Sequence, residues 1–219
     1  MENSLKSWIG KNYHTGGIFE LPILILGESV YVWNNEKLET SRIIELVSKN
    51  STGSESHKFY TNIFLAFTQK ERTNENKRFF WDSVAHFNYI LTPVNGGPRT
   101  PPTPQMINDA KNALIGRINA LDTQPTAIVV LGKRLWFNYL PKLGKPGPII
   151  EDGANRHETR IVKTPRNKEI LATWIYHPSS SFSSRHWHLI LSKFITMAKQ
   201  INDNQSLNNN NRSCTKPND

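Results

Sequence analysis

Four short stretches of the chain are dominated by apolar residues and bounded by turn formers: Pro22–Leu26, His86–Leu91, Thr126–Leu131 and Glu169–Tyr176. Their lengths suit strands, and their near-continuous apolar character predicts burial on both faces, as in parallel strands covered by helices. Between them, apolar residues recur at helical spacing. Thr40 caps a short helix running to Lys49 with Ile43, Ile44, Leu46 and Val47 inward, and Phe59–Gln69 carries Phe59, Ile63, Phe64 and Phe67 on one face. Phe79–Val84 reads as a further short helix. Thr103–Pro104 is a cap followed by proline at the first helical position, and Met106, Ile107, Ala110, Leu114, Ile118 and Leu121 fall on one face behind it. Another short helix starts at Gly132–Trp136. The last helix spans Ser184 to Ile201, with Trp187, Ile190, Leu191, Phe194 and Ile195 in its buried stripe.

Strands alternating with helices predict an α/β protein, a three-layer α/β/α sandwich with a central, mainly parallel, four-stranded sheet. Residues 1–20 and 141–166 show no periodicity and read as a lead-in and a loop-rich basic segment. Residues 1–201 form one domain in this reading, and the Asn-rich residues 202–219 a disordered polar tail. No internal repeat is visible.

Composition sharpens the picture. With 219 residues and 37% hydrophobic content the chain can bury one substantial core. It carries 27 Lys and Arg against 18 Asp and Glu, a formal charge of +9. The stretch from Ile201 onward is balanced, so the excess lies on the body. A basic body with six Trp, six Tyr and ten Phe suits a nucleic acid, because phosphates need cations and unstacked bases need flat rings. Cys214 is the lone cysteine, which excludes disulfide frameworks, cysteine-rich zinc sites and iron–sulfur clusters within one chain. The N-terminus lacks a basic-then-apolar signal pattern and no apolar run is long enough to span a bilayer, so a cytoplasmic monomer without membrane contact is expected. His186 and His188 do not make a metal pair, since a spacing of two on a helix turns them about 200° apart; no metal or cofactor is expected.

Sites in α/β folds gather at the carboxyl ends of the strands. There the chain offers Glu28, Ser29 and Tyr31 after the first strand, Asn88 on the second, Lys133 and Arg134 after the third, and His177 with Ser179, Ser180 and Ser181 after the fourth. Arg99 sits in the Pro- and Gly-rich loop from Thr92 to Pro104. Each residue alone has a plain structural reading: a strand Asn bonds internally, a His before Pro is a turn residue, an aromatic stripe is packing. Together they predict a pocket.

These segments, Gly27-Glu-Ser-Val-Tyr31, Phe87-Asn88-Tyr-Ile-Leu-Thr92, Ile128-Val-Val-Leu-Gly-Lys133 and His177-Pro-Ser179, resemble in order and context the motifs of the uracil-DNA glycosylase superfamily, across roughly Pro22 to Met197. The likeness is greatest to an uncharacterised bacterial branch whose first strand ends in Gly-Glu-Ser-His-Tyr and whose third ends in Leu-Gly-Lys-Arg-Leu-Trp, the latter intact at Leu131–Trp136. The resemblance implies excision of uracil or a related base flipped into a pocket. Asn88 would read the pyrimidine edge, its amide offering a donor and an acceptor side by side, with Gly27 beside it. His177 would stabilise charge on the leaving base, Tyr31 would block a 5-methyl group, and Phe59 or Phe64 would stack the base. Ser179, Ser180, Ser181, Arg185, Lys133, Arg134 and Arg99 would hold the DNA backbone, and Phe182 would wedge into the duplex.

The chain also departs from the main branch. Ser29 stands where an aspartate orients the attacking water, and Val30 follows where Pro or His is expected. Glu28 is a candidate substitute, although its position also suits bonding to backbone amides. Losing a positioned base costs roughly 10²- to 10⁴-fold in rate. A non-catalytic module that keeps the fold to bind a nucleotide or strand therefore stays open, as does a protein-interaction role for the aromatic loops.

Overall fold

A computed structural model describes residues 6–32, 39–55, 57–97, 100–153, 155–179 and 181–213. The chain opens with β1 (Trp8–Ile9) and two 3₁₀ turns, then β2 (Ile23–Gly27) and a short β3 (Tyr31–Val32). Helices α1 (Arg42–Thr52), α2 (Lys58–Thr68) and α3 (Asn74–Asp82) lead to β4 (Val84–Asn88), β5 (Val94–Asn95) and α4 (Pro104–Asn119). The second half holds β6 (Ala127–Leu131), a π-helical segment (Arg134–Tyr139), β7 (Lys145–Pro146), β8 (Ile150–Asp152), β9 (Asn155–His157) and β10 (Arg160–Lys163). It closes with β11 (Glu169–Ile175) and α5 (Ser184–Ser213).

The main sheet has seven strands in the order β1-β4-β2-β6-β11-β10-β7. Its centre, β4-β2-β6-β11, is parallel throughout, and β1, β10 and β7 join antiparallel at the two edges. The sheet is therefore larger than the expected four strands, and mixed. The central strands behave as their composition predicts: Ile23, Leu24, Ile25 and Leu26 are fully buried, as are Ala127 to Val130, each larger side chain contributing about 1.5–3 kcal/mol. The extra strands are two to four residues long, too short for a periodic signal, and Pro146 lies at an edge where a missing N–H is tolerated.

Successive residues of β4 show that both faces are covered. His86 packs against Tyr60 of α2 and Trp81 of α3, at ring separations of 6.0 and 6.2 Å. Phe87, pointing the other way by strand alternation, lies under the Arg117 guanidinium of α4 at 4.2 Å. Helices α1, α2 and α3 are tied by a buried chain in which Trp81 Nε1 donates to Asn50 Oδ1 and Asn50 Nδ2 donates to Thr61 Oγ1, each at 3.2 Å.

Local signals set several boundaries. Thr103 Oγ1 accepts from Met106 N at 3.2 Å and caps α4 where the sequence predicts. Helix α3 starts earlier than expected, because Thr73 caps it through Asn76 N; Val84 belongs to β4. Helix α5 continues past the expected boundary at Ile201 to Ser213, and residues 214–219 lie outside the described residues. The extension is docked: Gln205 accepts from Glu169 N at 3.2 Å and donates to Glu169 O at 3.0 Å. No helix among the described residues is long and apolar enough to cross a membrane.

Candidate functional site

In chain order β2 is followed by β4 on one side and then by β6 on the other, so the sheet reverses direction between β2 and β6. In α/β folds, binding crevices are found at the carboxyl ends of the strands flanking such a reversal. Glu28 leaves β2 there and Arg134 leaves β6, and they form a bidentate pair: Arg134 Nε donates to Glu28 Oε2 at 2.9 Å and Arg134 Nη2 to Glu28 Oε1. The Tyr31 hydroxyl joins them, accepting from Arg134 Nη2 at 3.0 Å and donating to Glu28 Oε1 at 3.4 Å. The hydrogen-bonded carboxylate holds Arg134 protonated well above the usual guanidinium range. Tyr139, at the far end of the π-helical segment, has its phenol pushed up mainly by burial and next by the Glu28 charge.

The Asn88 carboxamide lies over Gly27, its neighbour in the parallel register. A Cβ at Gly27 would stand 2.2 Å from Asn88 Oδ1, so the glycine is what admits the amide. Asn88 is 5% exposed, and its side chain has no hydrogen-bond partner among the described residues. Its backbone is clamped from beneath, since Arg117 donates to Asn88 O at 2.9 Å and to Tyr89 O at 3.1 Å. Burial lowers the Arg117 pKa to about 10. The Ser29 hydroxyl is buried and likewise without a partner among the described residues.

His177 closes the other side. Its ring rests against Phe59 with centroids 5.2 Å apart, and its Nδ1 bonds Ser179 Oγ at 2.7 Å. Gly132 has φ +113°, a conformation that favours glycine, and the His177 side chain packs over it. Helix α2 holds the turn through Asn62 Nδ2, which donates to Pro178 O at 2.6 Å. His177 is exposed as a residue, yet protein packs closely enough around it to disfavour the hydrated imidazolium. Its pKa is lowered below 6.5 chiefly by this desolvation, with Glu28 opposing and Arg134 adding to the shift.

Residues expected at the DNA backbone are placed less uniformly. Arg134 is turned inward to Glu28, so its guanidinium is engaged within the site. Lys133 lies over Tyr176 at 4.6 Å and Trp174 at 5.8 Å. Arg185, Ser179 and Ser181 are exposed beside the His177 turn. Phe182 does not project: its ring stacks on Trp187 at 6.4 Å with planes 20° apart. Phe64 is fully buried in the core. Arg99 and Ser180 lie outside the described residues. His186 sits 3.8 Å from Asp152 and His188 bonds Ala66 O, so the two diverge; among the described residues no cluster of His, Cys, Asp or Glu suits a metal ion. A cavity of about 910 Å³ opens elsewhere, between α4 and the β7–β10 edge, and touches this site only through Tyr139.

Arg117 and Asn62 are the contributors that pattern reading misses. Each bonds backbone carbonyls far away in the chain, and neither has a sequence signal beyond being polar on a helix.

Comparison with known proteins adds no family to this geometry: no family model matches the chain, and no curated protein matches it.

Proposed function

We propose that the crevice binds a single nucleobase of a DNA strand and cleaves its N-glycosidic bond, with uracil or a related modified base as substrate. The observation that carries the reading is the setting of His177: an imidazole packed at a tilt against Phe59, with Nδ1 bonded to Ser179 and Nε2 without a partner among the described residues, and with burial disfavouring its charged form. In the tautomer in which Ser179 donates to Nδ1, the ring proton resides on Nε2 and is free to donate to the oxygen of a departing base. Such a donor contributes about 3–4 kcal/mol to a transition state. Asn88 supplies an unengaged amide for the base edge and Phe59 a face for stacking, while the buried Ser29 hydroxyl is closed to water in this arrangement. Glu28 acts through Arg134 and Tyr31, positioning both; a carboxylate saturated by a bidentate guanidinium is a weak base.

The test is base release from a labelled single strand containing one uracil, read by alkaline cleavage of the abasic product. His177→Ala is expected to lower the rate by ~10²- to 10³-fold. Asn88→Ala is expected to abolish recognition, and Gly27→Ala to act like it by evicting the amide. Equal rates in all four proteins sink the assignment.

The engagement of Glu28 favours one second reading, a module that binds the base without cleaving it. Absent release together with binding that weakens in Asn88→Ala establishes that version.

A further inference from the structure

Beside the His177 turn lies a ladder of aromatic rings that the pocket does not use. Tyr176, the residue before His177, stacks on Trp174 with centroids 5.7 Å apart and planes at 27°. Phe137, from the π-helical segment, packs on the same indole edge-on at 5.2 Å. Trp187 supports Tyr176 at 5.0 Å. Trp174 and Trp187 are buried, whereas Phe137 and Tyr176 are each 42% exposed. Two outward rings are thus held by two inward ones. The Lys133 ammonium stands over Tyr176, so a base stacking on that face displaces it toward a flanking phosphate, and Arg185 makes no ion pair among the described residues. The acidic groups nearby are neutralised: Glu158 by Arg160, and Asp152 by Lys193 with His186 beside it.

We infer that Phe137 and Tyr176 form a stacking platform for bases flanking the one in the pocket, and that the protein takes single-stranded rather than duplex DNA. The inference rests on the nucleobase reading above. Exposed rings fixed by a packed floor, with cations alongside, are what an unstacked strand requires, because every base has a π-face and every linkage a phosphate. Duplex DNA offers neither free base faces nor a flipped base without a cost in unstacking. The residue positioned to meet that cost, Phe182, is laid flat on Trp187 instead of projecting. A protein partner would call for a continuous apolar patch, whereas Lys133 interrupts this one.

The test is anisotropy of a labelled oligothymidylate of roughly 15 nucleotides, within the site sizes of such grooves. Tyr176→Ala and Phe137→Ala are each expected to weaken binding ~5- to 100-fold. Tyr176→Phe should bind as the parent does, and so should Phe79→Ala, which removes an equally exposed ring on α3. The matching duplex should bind at least about tenfold more weakly and be indifferent to these changes. Unchanged affinity in both alanine variants, or equal loss in Phe79→Ala, overturns the platform. Preferred duplex binding overturns the strand assignment. The two proposals separate cleanly: ring-dependent binding without base release keeps the platform and removes excision, while base release with ring-independent binding does the reverse.

Discussion

Glu28 and Arg134 are the residues whose energetics most constrain the site. The Glu28 side chain is 9% exposed and that of Arg134 36%, so the carboxylate depends on its partner far more than the guanidinium does. Arg134→Gln leaves an uncompensated charge and is expected to cost about 2–3 kcal/mol, below the ~3–5 of a fully buried pair. The double variant Glu28→Gln/Arg134→Gln should recover most of that loss. Urea unfolding of the four proteins in a double-mutant cycle measures the coupling, and additive losses would mean that the pair is not coupled. At this scale the sequence reveals the participants better than their roles. Glu28, Tyr31, Asn88 and His177 stand where strand ends place them, but nothing in the order of residues says that Arg134 turns inward to Glu28 and Tyr31. The clamps from Asn62 and Arg117 are equally hidden, because their acceptors are peptide carbonyls 116 and 29 residues away in the chain.

Among the elements, one helix end with local chemistry is readable, that of α4, whereas α1 starts after Ser41 without a side-chain cap instead of at Thr40, and the Thr73 cap of α3 goes unread. Helix α4 begins at Thr103–Pro104 because the cap hydroxyl and the proline act within one turn. Thr103→Ala should therefore lower stability by about 1 kcal/mol, seen as a shifted urea midpoint with unchanged slope; a negligible shift would show that tertiary packing alone fixes this end. Three of the four central strands declare themselves by their apolar runs, whereas β4 begins two residues before and ends three residues before the expected His86–Leu91. What also escapes are elements whose formation depends on a partner. Strands β1, β7 and β10 exist because a neighbouring edge offers unpaired N–H and C=O groups, and the polar end of α5 is helical where Gln205 grips Glu169. Periodicity cannot report a bond made to another segment.

For the molecule as a whole, the centre of the sheet carries a built-in acid sensitivity. His86 is 1% exposed and bonds Ile25 O through Nδ1 at 3.0 Å, and burial lowers its pKa to about 4. The unfolded chain takes up this proton near pH 6.5, whereas the folded protein takes it up only near 4. Between those values the unfolded state holds more protons, so stability is lost as the pH falls through that window and levels off below it. Unfolding measured at about pH 7 and about pH 4.5 should show a loss about 2–3 kcal/mol larger in the parent than in His86→Leu. Equal losses would exclude His86 as the cause.

The π-helical segment Arg134–Tyr139 links these scales. A π turn accommodates one more residue than an α turn, and such turns behave as single-residue insertions in a helix. An ordinary α turn with one residue fewer would close between nearly the same ends. The extra residue is therefore what lets one short turn carry Arg134 to Glu28 at its start and Phe137 to Trp174 within it. In this protein a single wide turn serves both pocket and platform without turning the chain on either side of it out of phase.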